Sequence, residues 1–268
     1  MATTDSPLNI KGSIKGLRFY KMQGSNKTYV GQKGGASKPH IQKSPKFKNL
    51  RLAQNELRGR AQVAKSIRGC FGIWAYDIVN RYLQLRLTGV LQQVQNLDGP
   101  LVTGKRTVEL TKFKEVLNQI QWYYYKPLNE IMMCAYSVET REDRKAVTVT
   151  LKGLNPKVHI KPPSAASHFQ LCVGLGTVTD AVTLPDSMTW ISTVGENINT
   201  VAWKLSEWIA IDDPIIEELS LTATLRDKFI IKDNRTVIRG FGIVFGKMTS
   251  VVTAIPKDRG SIEFLGAV

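Results

Sequence analysis

Cysteine and histidine are scarce in this chain of 268 residues, which contains three of each. The cysteines are odd in number and far apart, so we expect reduced, buried thiols and no disulfide framework. The histidines are equally dispersed, and together the two counts argue against a Cys/His zinc module. The residues concerned are Cys70, Cys134, Cys172, His40, His159 and His168.

Long apolar runs are also missing, because no segment reaches the roughly 18 residues that a membrane-spanning helix requires. The stretch from Met1 to Leu17 lacks the apolar centre of a standard signal peptide. Apolar residues make up 43% of the chain and charged residues 22%, which is typical of a folded globular protein. We therefore predict a cytoplasmic protein without a membrane span.

Acidic residues are nearly missing from the first 70 residues, which contain 15 Lys and Arg but only Asp5 and Glu56. This quarter of the chain thus carries +13 of the total net charge of +15. So uneven a distribution predicts binding to a polyanion, to an anionic surface or to an acidic partner subunit. A solvated arm that aids solubility is the alternative.

Three patterns divide the chain into a basic hairpin arm (1–49), a helical region (50–133) and a strand-rich region (134–268). In the arm, strands are predicted at Leu17–Met22 and Thr28–Gly31, around a turn at Gly24-Ser25-Asn26. An isolated hairpin is marginal in water. The arm must therefore dock on its own domain, on a neighbouring copy or on a ligand.

In the helical region, apolar residues recur every three or four positions, which predicts a helix with one apolar face. We expect a break or kink near Gly69 and Gly72, an end at Asp98-Gly99-Pro100, and a second helix over Val108–Gln121. The predicted face comprises Ala53, Leu57, Ala61, Ala64, Ile67, Phe71, Trp74, Ile78, Tyr82 and Leu85.

Beyond residue 134, apolar residues alternate with polar ones in several short segments separated by turn residues. This pattern is typical of an antiparallel β-sandwich of seven or more strands. Gly240 and Gly242 lie inside one of these segments and indicate a bulge or a close backbone approach. The predicted fold class is α+β, with an N-terminal basic β-hairpin arm, long helices and a C-terminal antiparallel β-sandwich.

Motifs of catalysis are missing: there is no Walker sequence, no HExxH and no GxSxG. Gly174-Leu175-Gly176 lacks the third glycine and the following helix of a dinucleotide site. For His159 and His168 we predict structural roles, with His168 half-buried and hydrogen-bonded. The run from Trp122 to Tyr125 is interpreted as core packing. The chain is predicted to be no enzyme and to hold no metal or cofactor.

Two groups of residues are candidate contacts. In the arm, aromatic side chains alternate with basic ones, as on surfaces that bind single-stranded nucleic acid. An acidic group near residue 215 is a counterpart for a basic arm from another copy, with a divalent cation site and a plain loop as alternatives. The arm contacts are Lys11, Lys15, Arg18, Phe19, Tyr20, Lys21, Lys27, Tyr29, Lys33, Lys38, Lys43, Lys46, Lys48 and Arg51. The acidic group is Asp212, Asp213, Glu217 and Glu218.

The segment Lys11–Lys21, with Tyr29-Val30 and Lys33-Gly34-Gly35 behind it, resembles a family of uncharacterised Bacteroidota proteins. Those proteins begin with a KGxIxGLxFYK hairpin and a basic KGG segment and carry a GATHF-like strand later. Here the corresponding strand reads Ala165-Ala166-Ser167-His168-Phe169, with alanine and serine in place of glycine and threonine. The resemblance implies a bacterial source and a shared domain plan, and it supplies no catalytic residue.

These observations predict a non-enzymatic structural protein that assembles with copies of itself, as a filament, tubule, sheath or capsid-like subunit. The arm would reach a neighbour by strand addition or by pairing basic with acidic side chains. Three alternatives stay open: a nucleic-acid-binding protein that uses the arm, a ligand- or glycan-binding β-sandwich, and an unrecognised enzyme. The first is compatible with an assembly that packages nucleic acid.

Overall fold

A computed structural model describes residues 2–4, 12–22, 26–71, 82–97, 103–123, 126–183, 190–192, 200–248, 252–254 and 260–268. The chain forms two compact units, Met1–Arg51 and Leu52–Val268. Helices and antiparallel sheets occur together, so the chain is α+β as predicted. Most of the predicted helical segment (50–133) and all of the predicted strand-rich segment (134–268) lie in the second unit.

The first unit is built on a four-stranded antiparallel sheet in the order β1-β4-β3-β2. The predicted strand pair forms its centre, and two strands of three residues flank that pair. Lys15 and Gly16 join β2 to β3 with φ of 43° and 86°, as a two-residue type I′ turn requires. The strands are β1 (Ala2–Thr4), β2 (Gly12–Ile14), β3 (Leu17–Lys21) and β4 (Thr28–Gln32). Gly24 and Ser25 of the predicted turn lie outside the described residues.

A short helix, α1 (Lys38–Lys43), and a 3₁₀ turn (Pro45–Phe47) follow the sheet. The Ser37 side chain caps α1 by accepting a hydrogen bond from the backbone N–H of His40. Arg51 Nη1 donates to the carbonyl oxygens of Ile41 and Ser44, each at 2.8 Å. The Arg51 side chain therefore satisfies carbonyl groups that the end of so short a helix leaves unpaired.

The long helix α2 (Lys48–Gly69) contains the division between the two units, and it ends at the predicted break. Its buried face differs from the predicted one, because Ala53 and Leu57 are exposed while Asn55 and Glu56 are buried. The reason is an internal ion pair that turns polar residues inward. Ala64, Ile67 and Phe71 of the predicted face are buried, whereas Tyr82 and Leu85 are 49% and 72% exposed, so the prediction is wrong for those two residues. Trp74, Ile78 and Asp98-Gly99-Pro100 lie outside the described residues.

The prediction of a second long helix over Val108–Gln121 is wrong. Val108 exchanges backbone hydrogen bonds with Ala181, at 2.9 and 3.1 Å, which holds this part of the chain extended. Only Lys114–Gln119 is helical, as a 3₁₀ helix. Beyond α2, the described residues of this unit form the α-helices α3 (Leu83–Leu97), α4 (Leu128–Ile131) and α5 (Pro156–His159). None of the helices within the described ranges is long and apolar enough to cross a membrane.

Two antiparallel sheets dominate the second unit. The three-stranded sheet has the order β12-β6-β5, with β5 at Tyr136–Thr140, β6 at Ala146–Leu154 and β12 at Ile216–Thr224. In the six-stranded sheet, β7 (His168–Thr179) and β13 (Arg235–Met248) pair over twelve residues at the centre. Along β7 lie β10 (Val201–Leu205) and β11 (Ile209–Ala210), and along β13 lie β14 (Val252–Ala254) and β15 (Ser261–Ala267). Separately, β8 (Ala181–Thr183) pairs with β9 (Trp190–Ser192).

Strands β7 and β13 are buried on both faces, because each face contributes to a different apolar cluster. On one face Phe169, Leu171 and Phe241 pack with β6 and β12 of the three-stranded sheet. On the other face Val178 and Ile238 pack with residues of α2 and α3. The six-stranded sheet is therefore covered on both faces, and both apolar clusters consist of residues beyond position 62.

Glycines let the end of α2 and a tryptophan approach the helix-facing side of the sheet. A Cβ at Gly174 would lie 2.1 Å from the Trp203 ring, and one at Gly176 would lie 2.5 Å from Cys70. A Cβ at Gly240 would lie 3.0 Å from Phe71. Trp203 Nε1 donates to the Cys70 carbonyl oxygen at 3.0 Å and joins these contacts. The predicted close approach at Gly240 is confirmed, as is that at Gly242, where a Cβ would lie 2.7 Å from a backbone oxygen.

Candidate interaction surfaces

The cations predicted to bind a partner are exposed on the first unit. That unit contains eleven Lys and Arg residues and one acidic residue, Asp5. Arg51 is half-buried because it caps α1, and Lys11 lies outside the described residues. The exposed cations are Lys15, Arg18, Lys21, Lys27, Lys33, Lys38, Lys43, Lys46 and Lys48. The first unit is thus a dense positive surface.

One side of the four-stranded sheet carries a pair of tyrosines, and we call it the tyrosine face. Tyr20 on β3 lies directly opposite Tyr29 on β4, and the two rings stack with centroids 5.8 Å apart and planes at 25°. Arg18 follows the same side of β3, with its guanidinium carbon 5.8 Å from the centre of the Tyr20 ring. Opposite Arg18 stands Gly31, which has no side chain. The tyrosine face therefore combines flat rings, a cation and a position without a side chain.

The other side of the sheet, the apolar face, consists of Ile14, Leu17, Phe19 and Val30. Side chains alternate along a strand, so Phe19 points away from Tyr20 and Tyr29, although the sequence groups the three together. Ile14 is 54% exposed and Leu17 is 43% exposed. None of these four residues belongs to either apolar cluster. Phe19 and Val30 are half-buried, so the exposed part of the apolar face is formed by Ile14 and Leu17.

The predicted acidic group lies on both sides of an exposed isoleucine in the sequence, and we call these residues the acidic patch. Asp212, Glu217 and Glu218 are exposed, and Ile215 between them is 60% exposed. Asp213 is half-buried because its carboxylate accepts a hydrogen bond from the backbone N–H of Ala210 at 2.9 Å. The patch ends in the first residues of β12, at the edge of the three-stranded sheet. Sequence reasoning misses Ile215, because one apolar residue in a turn has no periodic signal.

A largely buried ion pair, with Glu56 buried and Arg106 half-buried, links α2 to α3 and the loop behind it. Glu56 Oε1 accepts hydrogen bonds from Arg106 Nε at 2.8 Å and from the Gly104 backbone at 2.7 Å. Gln95 Nε2 of α3 donates to the Arg106 carbonyl oxygen at 3.2 Å. Arg60 is buried beside this pair, and burial lowers its pKa although Glu56 opposes the shift. These contacts fix the positions of the two helices, so we assign them a structural role.

A cavity of about 240 Å³ lies between the 3₁₀ helix, α4 and β15. Trp122 in its wall stacks on Phe264 with centroids 4.8 Å apart and is buried, which confirms the interpretation of this tryptophan as core packing. The Glu263 carboxylate at the rim accepts a hydrogen bond from Tyr136 Oη at 2.7 Å. Burial raises the pKa of Tyr136, and the hydrogen bond to Glu263 and the negative charge of Glu263 raise it further. Tyr124 and Tyr125 lie outside the described residues.

The cysteines are buried, and two of the histidines make local hydrogen bonds, as is typical of residues with a structural role. All three cysteines are buried and free, as predicted, and burial raises the pKa of Cys70 to about 12. His168 is half-buried and hydrogen-bonded to Ser167 Oγ at 2.9 Å, as predicted. His159 Nδ1 accepts a hydrogen bond from the Asn155 backbone at 3.1 Å. Within the described ranges, no group of three or more His, Cys, Asp and Glu side chains is placed to hold a metal ion.

Comparisons of the chain with protein-family models, with curated proteins and with solved structures find no match.

Proposed function

We propose that this protein is a non-enzymatic structural protein that assembles with copies of itself through its first unit. The observation that carries the proposal is the apolar face, where the neighbouring Ile14 and Leu17 are about half exposed. A small sheet is stable in water only when it buries an apolar face. Contiguous apolar surface that remains exposed marks a protein interaction site.

The acidic patch of a second copy is the counterpart that fits the apolar face. Lys15 lies in the turn beside the apolar face, and Lys21 follows the same side of β3 as Leu17 and Phe19. In the acidic patch, the exposed Ile215 stands between exposed carboxylates in the sequence. An apolar centre with a basic border would therefore meet an apolar centre with an acidic border, which favours association in one orientation.

A contact between two different surfaces is heterologous, so each copy retains one free surface for the next copy. Such contacts produce rings when they close and filaments when they do not. Tubules, sheaths and capsid-like shells are built on the same principle. In this proposal the two sheets of the second unit form a β-sandwich body, the first unit is its arm, and the assembly resides in the cytoplasm of a Bacteroidota cell.

Single substitutions test the contact on the full-length protein after nuclease treatment. Leu17→Asp and Ile215→Asp each place a charge in one apolar centre, so we expect both variants to sediment as smaller species than the wild type. Val158→Asp and Ile230→Asp are matched controls, because these side chains are 59% and 72% exposed elsewhere in the second unit. Both controls should assemble normally. Assembly that survives Leu17→Asp and Ile215→Asp would refute the proposed contact.

Charge reversal tests whether the two surfaces meet each other. Lys15→Glu/Lys21→Glu and Glu217→Lys/Glu218→Lys should each weaken assembly by like-charge repulsion. An equimolar mixture of the two variants should assemble again, since the acidic arm of one variant meets the basic patch of the other. Combining all four substitutions in one chain should restore assembly for the same reason. If the combined chain remains dissociated, the apolar face binds another surface.

A further inference from the structure

We infer that the tyrosine face binds single-stranded nucleic acid, with bases on Tyr20 and Tyr29 and phosphates on Arg18 and neighbouring lysines. The apolar face lies on the opposite side of the same sheet, so this inference does not rest on the assembly contact.

The two tyrosine rings lie nearly parallel on adjacent strands. Tyr20 and Tyr29 form a cross-strand pair whose planes differ by only 25°. Two nearly parallel rings, fixed on adjacent strands, offer a platform on which successive bases stack. Stacking requires base faces that are open, and a duplex conceals them. The tyrosine pair therefore favours a single strand over a duplex.

Gly31 leaves the surface beside the rings without a side chain at one position. Gly31 stands opposite Arg18 on β4, and a Cβ at Gly31 would lie 3.9 Å from the Tyr20 ring. Gly31 places no side chain between the Tyr20 ring and the Arg18 guanidinium, and a Cβ there would already be in van der Waals contact with the ring. A base on the ring and its phosphate on the guanidinium would occupy adjacent places on this surface.

The first unit carries a strong excess of positive charge. The exposed lysines of α1 and the following turn extend the positive surface beyond the sheet, and Asp5 is the one acidic residue in this unit. A surface of this kind attracts a polyanion and releases its counterions. The aromatic pair then distinguishes nucleic acid from an acidic protein, which has charge but offers no series of flat rings for stacking.

The direct test measures the anisotropy of a fluorescent oligothymidylate of about 12 nucleotides with the full-length protein. With about six phosphate contacts, the affinity should fall by roughly three decades between about 50 and 200 mM salt. Tyr20→Ala/Tyr29→Ala should weaken binding by about tenfold or more at each salt concentration and leave the salt slope unchanged. Arg18→Ala should lower that slope by about one.

Gly31→Val provides a variant that retains both rings and the fold. Valine suits a strand, and the Gly31 φ is not in the left-handed region, so the sheet should form normally. Its side chain would stand against the Tyr20 ring on the tyrosine face and should weaken binding of the oligonucleotide. Tyr20→Phe/Tyr29→Phe is the matched control, because it retains the stacking surfaces and should bind like the wild type. Circular dichroism should verify that each variant is folded.

The competing outcomes are distinct. Ile215→Asp should still bind the oligonucleotide, so a loss of assembly and a loss of binding can be separated. Wild-type affinity in both Gly31→Val and Tyr20→Ala/Tyr29→Ala would overturn the inference. Equal binding of heparin or of a duplex of the same length, unaffected by Gly31→Val, would indicate attraction to any polyanion and also overturn it. Binding of polyglutamate but not of the oligonucleotide would indicate an acidic protein partner instead.

Discussion

At the scale of single residues, Gly174 has no side chain and so lets the Trp203 ring pack directly on the backbone of β7. We expect Gly174→Ala to lower the free energy of unfolding by about 2 kcal/mol, because the new methyl group overlaps the Trp203 ring. The ring must move, which also disturbs the hydrogen bond from Trp203 Nε1 to the Cys70 carbonyl oxygen. Urea unfolding followed by tryptophan fluorescence measures this loss.

Gly89→Ala is the matched control and should have the opposite effect. Gly89 lies inside α3, is exposed, and would place a Cβ with no neighbouring atom within 4 Å. Alanine favours the helix by about 1 kcal/mol relative to glycine. A Gly174→Ala variant as stable as Gly89→Ala would show that the Trp203 ring yields without cost.

Asp180 is a buried carboxyl group that should make the free energy of unfolding depend on pH. Burial raises its pKa, although hydrogen bonds from Thr111 to its carboxylate, at 2.5 and 3.1 Å, act against the shift. The folded protein therefore favours the protonated acid. The resulting stability is fully present below the unfolded pKa of about 3.9 and is lost as the pH rises through the higher folded pKa.

Asp180→Asn should remove this dependence, because the amide is neutral and can both accept from the Thr111 N–H and donate to the Thr111 hydroxyl. Relative to the wild type, the variant should gain stability between about pH 4 and pH 7. Unfolding in urea at both pH values measures the difference. An identical difference at the two pH values would mean that Asp180 does not titrate between them.

At the scale of elements, the buried ion pair determines which side of α2 faces inward. Glu56→Gln removes the negative charge beside Arg106 and Arg60, so we expect the free energy of unfolding to fall by about 3 kcal/mol. Glu142→Gln, at an exposed position, should leave the unfolding curve unchanged within error. Equal curves for the two variants would contradict a role of Glu56 in holding α2 against α3.

A strand is predictable from the sequence where apolar and polar residues alternate regularly. The buried side of a helix is less predictable, because distant polar partners can change it. The alternation of Val147, Val149 and Leu151 predicts β6, because one face of that strand is buried. Nothing local reveals that Glu56 pairs with Arg106, fifty positions away, and this pairing rotates the buried side of α2. The prediction of a helix at Val108 fails for the same reason, since its partner Ala181 is distant in sequence.

At the scale of the whole molecule, the concentration of positive charge is evident from the sequence, whereas the division into two faces is not. Counting Lys and Arg locates the basic arm, but β2 is three residues long and has no periodic pattern of its own. The register of β3 against β4 alone decides that Phe19 and Tyr20 belong to opposite surfaces. The relation of Ile215 to its acidic neighbours likewise depends on its exposure, which no sequence pattern reveals.

Removing residues 1–47 should leave a folded protein that no longer assembles. Both apolar clusters lie beyond position 62, and α2 remains complete in the truncated chain. Thermal unfolding by circular dichroism should therefore remain cooperative, while sedimentation should detect only small species. Truncated protein that assembles like the full chain would exclude the first unit as the link between copies. Truncated protein that fails to fold would indicate that this unit stabilises its own chain.

In the proposed assembly, the exposed part of the apolar face makes the folding of the first unit a function of concentration. Each occupant of the sheet binds only the folded form, so it adds a stabilisation that grows with the logarithm of its concentration. In dilute solution the many Lys and Arg peptide bonds of this unit should be cleaved readily by trypsin, and in concentrated solution they should be protected. The folded fraction of the first unit would then rise with the number of copies that surround it.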